Sequence, residues 1–222
     1  MAVRFVKIAS PDPVIDYVTQ AIRAQLDAGR PVLWFISGGS CIAPETQIAH
    51  NLRTSHTANM DKLEISLTDE RPGPVGHADS NAKQLHDVDF PIPFHAILDH
   101  GNPRSQARKF DQFLEQAFAK DPFCIGLLGI GPDGHTAGIP HAQAPASDEL
   151  AAYYVVRDFS RVSMTPRAIA RLDEAVVYAM GQAKLPALEM LTRDIPISEQ
   201  SAQALKQSAH VVVFNDVKGE CI

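Results

Sequence analysis

Cysteine is scarce in this 222-residue chain: Cys41, Cys124 and Cys221 stand far apart, with no Cys-x-x-Cys pair. An odd, scattered set excludes a disulfide framework, argues against a structural zinc site and fits a reducing compartment. Positive charge is short as well. Twenty Lys and Arg face 26 Asp and Glu, a formal net charge of −6, the wrong sign for a surface that binds nucleic acid or anionic lipid. No apolar run approaches the roughly 20 residues of a membrane span, and the opening Met1-Ala2-Val3-Arg4-Phe5 has no signal core. Internal repeats, low-complexity tracts and long Pro, Gly and Ser linkers are also missing. The expectation is one domain over residues 1–222, cytoplasmic, with neither nucleic acid nor membrane as partner, and with any anionic ligand held locally.

What is present is an ordinary globular composition, 45% hydrophobic and 21% charged. A chain of this size buries about 70% of its unfolded surface and needs neither disulfide nor metal to stay folded. Val14, Ile15, Val18, Ala21, Ile22 and Leu26 recur at helical spacing, after Asp12-Pro13 as cap and first turn and before Gly29. Val32-Leu-Trp-Phe-Ile36 is too short for a helix and apolar throughout, as a strand buried on both faces should be. Alternation continues: a helix through Leu52, strands at Leu63–Leu67, Phe94–Leu98 and Phe123–Ile130, a helix from Arg104 to Ala119, and strands at Tyr153–Val156, Ala175–Met180 and Val211–Phe214. Helices are expected near 166–172, 184–193 and 199–208. Strands alternating with helices define an α/β layered fold whose site lies at the carboxyl ends of the strands.

Five segments at such ends carry chemistry. Ser37-Gly38-Gly39-Ser40 follows the most apolar strand and precedes a helix, where exposed backbone N–H groups and the helix N-terminus suit a phosphate. It is neither a Walker loop nor a G-x-G-x-x-G fingerprint. Thr68-Asp69-Glu70-Arg71 leads through Pro72, Gly73, Pro74 and Gly76 to Asp79-Ser80-Asn81; its carboxylates and guanidinium suit sugar hydroxyls or a developing anion, and a solvated charged loop is the bland alternative. Gly129-Ile-Gly-Pro-Asp133-Gly-His135-Thr136 is the sharpest. Small, turn-forming residues surround His135, which can accept a proton from water while Asp133 fixes its tautomer or holds a ligand hydroxyl. Other histidines, such as His50, His56 and His86, sit in helical or polar stretches and read as surface or structural. Arg161, in Ser160-Arg-Val-Ser-Met-Thr165-Pro166, and Lys184, in Gly181-Gln-Ala-Lys184, are cations near chain reversals. Each alone is an ordinary surface charge; together they make a phosphate clamp.

In this order the five segments resemble the 6-phosphogluconolactonase family within the glucosamine-6-phosphate isomerase/deaminase superfamily. The matching runs span residues 37 to 184, and Gly-x-Gly-Pro-Asp-Gly-His-Thr is the most specific. The resemblance implies a three-layer α/β/α fold with a Rossmann-like, mostly parallel sheet, no metal or organic cofactor, and hydrolysis of 6-phospho-D-glucono-1,5-lactone in the oxidative pentose phosphate pathway. It places Gly39, Ser40, Arg161 and Lys184 at the phosphate, with Ser37 and Gly38 in the same turn, and Asp69, Arg71, Asp133 and His135 around the lactone ring. His135 is then the general base, Arg71 the cation beside the oxyanion, and Glu70 a group that orients Arg71.

The deaminases of the superfamily carry a glutamate five residues beyond the histidine, where this chain has Pro140; that favours lactone hydrolysis over isomerisation and ammonia release. Two departures stand out. Cys41-Ile42 occupies the place of the family's Thr-Pro, and Gly138-Ile-Pro-His-Ala142 that of its Ser-Leu-Phe-Pro-Gly. The alternatives are a glucosamine-6-phosphate isomerase/deaminase and a non-catalytic sugar-phosphate sensor; the sensor is disfavoured because no basic helix-turn-helix candidate precedes the first strands. A monomer or small homo-oligomer is expected.

Overall fold

A computed structural model describes residues 3–55, 57–140, 148–156 and 159–221 of the chain. The expectations for His56 and for His141 and Ala142 lie outside the described residues.

Among the described residues, ten strands fall into two sheets. The large one contains β1 (Arg4–Lys7), β2 (Val32–Ile36), β3 (Leu63–Leu67), β5 (Phe123–Leu128), β8 (Glu174–Ala179), β9 (His210–Asn215) and β10 (Glu220–Cys221), in the order β10-β1-β9-β8-β5-β2-β3. Every pairing in it is parallel. The small sheet is antiparallel, with β7 (Phe159–Met164) between β4 (Asp69–Glu70) and β6 (Ala151–Val156).

All residues of β2 and β5 are buried, Trp34 and Phe35 completely. Strands covered on both faces gain from unbroken apolarity, and each such side chain contributes about 1.5–3 kcal/mol on burial. The covering helices include α1 (Asp12–Asp27), whose Val14, Ile15, Val18, Ile22 and Leu26 form its inner stripe, and α2 (Ile42–Thr54), which buries Ile48, Ala49 and Leu52. Helix α4 (Pro103–Phe118) starts at an Asn102 cap that accepts the Ser105 N–H and buries Phe110, Leu114 and Phe118. Shorter helices are α3 (Asn81–Asp87), α5 (Pro166–Ile169) and α6 (Leu185–Leu191). Among the described residues no helix is long and apolar enough to cross a membrane.

Several expectations change. Phe94–Leu98 is not a strand. His95 alone bridges to Ser66, its N–H donating to Ile65 O at 2.7 Å. Pro91 and Pro93 just before it offer no N–H to extend a ladder, and the apolar signal comes from Ile97 and Leu98 entering the core. The helix expected near 199–208 is a 3₁₀ segment, Ser201–Gln207, and the one at 184–193 is a 3₁₀ turn, Gln182–Lys184, followed by α6. Arg161 stands mid-strand in β7 rather than at a chain reversal. Strands β1, β4, β7 and β10 are additional to the expected set.

The topology locates the site. After β2 the chain places β3 on one side and then β5 on the other, so the carboxyl ends of β2 and β5 flank a topological switch point, where loops diverge and leave a crevice. The turns that leave those two strands are Ser37–Ser40 and Gly129–His135.

Candidate active site

The crevice is a cavity of about 270 Å³ lined by the backbone and side chains of the Ser37–Ser40 turn, by Gly129–Pro132, and by Asp69, Arg71, Asn81, His135, Ala137, Arg161 and Lys184. Nine of the ten residues expected from sequence to bind or react therefore share one cavity. The tenth, Asp133, is not in its wall but lies against the His135 ring.

Ser37 continues β2 into the turn. Its Oγ donates to Leu127 O at the end of β5 (2.9 Å) and lies 3.2 Å from Thr68 Oγ1, so one buried hydroxyl ties three strand ends together. Gly38 is required by a close approach: a Cβ there would lie 1.9 Å from Asn81 Oδ1. Gly39 sits at φ 66°, in the left-handed region that favours glycine. A 3₁₀ turn, Gly39–Cys41, then feeds α2, so the amide-rich start of that helix faces the cavity.

The loop after β5 is drawn tight. Gly131 N–H donates to His135 O (2.8 Å) and Gly134 N–H to Gly131 O (2.9 Å). A Cβ on Gly131 would lie 2.3 Å from the His135 ring, and Gly134 adopts φ 88°. His135 Nδ1 lies 2.6 Å from Asp133 Oδ1. A carboxylate accepts, so Nδ1 carries the hydrogen and Nε2 is the basic nitrogen. The imidazole is 38% exposed, which gives water access to it. Thr136 Oγ1 donates to Gly129 O (2.9 Å) and clamps the base of the loop.

The second sheet supplies the remaining side chains. Asp69 in β4 is buried beside Arg161 of β7, with Nε to Oδ2 at 3.9 Å. Burial raises the Asp69 pKa and outweighs the Thr68 hydroxyl and the Arg161 and Arg71 charges, which act to lower it. Burial likewise lowers the pKa of Arg161, which Asp69 opposes and Arg71 reinforces. Lys184, half-buried and donating from Nζ to Ile130 O, is also pulled down by burial, against the influence of Cys41 and Asp133. Two desolvated cations in one cavity gain free energy when an anion enters it. Their charged neighbours differ: Asp69 and Arg71 act on Arg161, and Cys41 and Asp133 on Lys184.

Glu70 neither lines the cavity nor bonds the Arg71 guanidinium. Its carboxylate accepts from the N–H groups of Arg71 (2.7 Å), Asn81 (2.7 Å) and Ala82 (2.9 Å) and from Ser80 Oγ (2.8 Å). It thus fastens the N-terminus of α3 and holds Arg71 through the backbone. The guanidinium itself donates to Asp79 O (3.0 Å) and Asn81 Oδ1.

Sequence reasoning missed two supports. Asn81, seen only as part of a run, lines the cavity and donates from Nδ2 to Asp69 O (2.9 Å); the turn chemistry of Asp79-Ser-Asn81 was its one signal. Gln200 and Ser201, completely buried, back the histidine loop from 65 residues away: Ser201 Oγ meets Thr136 N–H at 3.4 Å, and Ala202 N–H donates to Gly134 O at 3.1 Å. Nothing local in the sequence marks those residues. Among the described residues no three His, Cys, Asp or Glu side chains converge to hold a metal ion.

Fold and cavity define a doubly wound α/β protein with a cation-lined cavity and a carboxylate-paired histidine at its switch point. Within that class the chain belongs to the glucosamine-6-phosphate isomerase/6-phosphogluconolactonase family, whose sequence profile matches residues 9–214. It is 30% identical over 197 residues to the 6-phosphogluconolactonase of Caulobacter vibrioides, covering 77% of each chain. With the 6-phosphogluconolactonase of Thermotoga maritima it shares 24% identity over 199 residues, 84% of this chain and 88% of that one. The solved Thermotoga maritima structure superposes with a TM-score of 0.81 at 20% identity, covering 96% and 98%. A monomeric glucosamine-6-phosphate deaminase gives 0.76 at 14% identity, covering 96% and 97%. Both structures show that the fold is shared.

Proposed function

We propose that this chain hydrolyses 6-phospho-D-glucono-1,5-lactone to 6-phosphogluconate in the oxidative pentose phosphate pathway. The observation that carries the reading is the union, in one cavity, of an Asp133-oriented His135 with desolvated cations and an amide-rich turn. The names of the curated relatives agree with it.

The phosphate lies against the Ser37–Ser40 turn and Lys184, with Arg161 reaching it from the second sheet. Asp69 holds a ring hydroxyl. Water attacks C1 as Nε2 of His135 takes its proton, and the carbonyl electrons move to an oxyanion beside Arg71. Collapse of that intermediate breaks the C1–O5 bond, and the imidazolium returns its proton to O5. The new carboxylic acid ionises and releases one proton to solvent. Asp133 keeps Nδ1–H in place and stabilises the imidazolium.

Pro140, buried at the end of the same loop, offers no acid for ring opening. The test is proton release from freshly generated 6-phosphogluconolactone, with ammonia release from glucosamine 6-phosphate as its counterpart. Acceleration of the first and none of the second is expected; the reverse makes the chain a deaminase. Cysteine usage supports a cytoplasmic enzyme, and net charge one without a nucleic-acid partner.

A further inference from the structure

Beneath the Ser37–Ser40 turn lies a titratable group that the mechanism above does not use. Glu45, in the first turn of α2, is completely buried. Its Oε1 accepts the Ser37 N–H at 2.7 Å and so ties the turn to the helix that follows it. Its Oε2 is buried too and has no hydrogen-bond partner among the described residues. The Ser37 N–H would otherwise be an unpaired donor at the buried start of the turn, which is costly.

We infer that Glu45 is a positioning residue for the phosphate: its buried carboxyl fixes the Ser37–Ser40 turn through the Ser37 N–H. The inference rests on the lactonase reading for the identity of the anion. The buried Ser37 N–H bond carries it, and the surroundings of the carboxyl favour the neutral acid. Burial pushes the Glu45 carboxyl well above the ordinary carboxylate range and outweighs the Ser37 N–H, which acts to lower it. The other titratable group beside it is Cys41 at the head of the same helix, a fully buried thiol whose own pKa is raised, first by burial and then by Glu45. An ionised carboxylate directly under an anion-binding turn would oppose the ligand; a neutral acid presents the same acceptor without the charge.

The experiment uses the full chain as wild type, Glu45→Gln and Glu45→Leu, with freshly generated 6-phosphogluconolactone and unphosphorylated gluconolactone as substrates. Glu45→Leu is expected to raise KM for the phosphorylated lactone about tenfold with kcat nearly unchanged, the cost of one lost buried acceptor, and to leave the unphosphorylated lactone unaffected. Glu45→Gln keeps an acceptor for Ser37 and should restore the wild-type KM. A Leu variant with wild-type KM overturns the positioning role; a Gln variant as impaired as Leu shows that a charge is needed and overturns the neutral acid. Protection from thermal unfolding by inorganic phosphate repeats the comparison without turnover: wild type and Gln protected, Leu not. A wild type that is protected yet hydrolyses no lactone removes the proposed reaction and leaves this inference standing. Should the Leu variant fail to fold, infrared difference spectra of wild type minus Glu45→Gln decide the charge state. The carbonyl stretch of a protonated carboxylic acid is expected at neutral pH, and its absence overturns the assignment.

Discussion

The two sheets meet at one cavity and contribute to it differently. The large parallel sheet delivers mostly backbone: the turn after β2, the loop after β5, and Lys184 beyond β8, with glycines at Gly38, Gly39, Gly131 and Gly134 where the chain must pass close to a neighbour or turn left-handed. The small antiparallel sheet delivers side chains directly from its strands, Asp69 from β4 and Arg161 from β7, with Arg71 immediately after β4. The first arrangement suits recognition of a phosphate by amides and a helix start, with one loop reserved for the histidine. The second suits a fixed set of charges, because a strand gives its side chains less freedom than a loop does. The difference teaches that this site is not one loop cluster decorated with charges. It is a backbone cradle closed by a charged wall.

Three substitutions put that division under strain. His135→Ala carries the largest expected effect: kcat falls by about 10²–10⁴, the usual share of a general base, while 6-phosphogluconate still raises the melting temperature. Loss of both would make His135 part of the cradle. Next comes the contrast between Arg71→Ala and Lys184→Ala. The first should lower kcat by about 10²–10³, as removal of an oxyanion donor does. The second should raise KM by about 10–100-fold, the worth of a charge-assisted contact. Equal kcat losses in both would erase the distinction between wall and cradle.

The smallest effect is in stability. Asp69 is raised in the folded protein by burial, so the unfolded chain gives up its proton at lower pH than the folded one. The folded state therefore loses stability as pH rises from the unfolded carboxylate range through the folded pKa, and keeps that penalty above it. Asp69→Asn should be more stabilising, or less destabilising, in urea unfolding at pH 8 than at pH 4, while ring-side binding weakens. A difference of opposite sign would mean that the Arg161 and Arg71 charges outweigh burial.

The same two sheets differ in how far the sequence exposed them. The central strands of the large sheet were legible because burial on both faces demands unbroken apolarity, as in Val32–Ile36 and Phe123–Leu128. The small sheet was not. Two residues of β4 carry no periodicity, and β7 mixes buried Val162 and Met164 with buried Ser163 and a half-buried Arg161, a pattern that reads as loop. Motif spacing nevertheless pointed to Asp69, Arg71 and Arg161, all of which line the cavity, because charged residue types in a motif stand out whether or not the strand does. The contributions of Asn81 and Ser201 depend on contacts across 12 and 65 residues, and no local pattern encodes those.

The account stands most directly on where a product molecule lies. In a crystal structure of the complex with 6-phosphogluconate, the phosphate is expected on the Gly38–Ser40 amides and Lys184, with the C1 carboxylate between His135 Nε2 and Arg71. A phosphate beside His135 with the carboxylate in the turn, or a ligand outside this cavity, would contradict it.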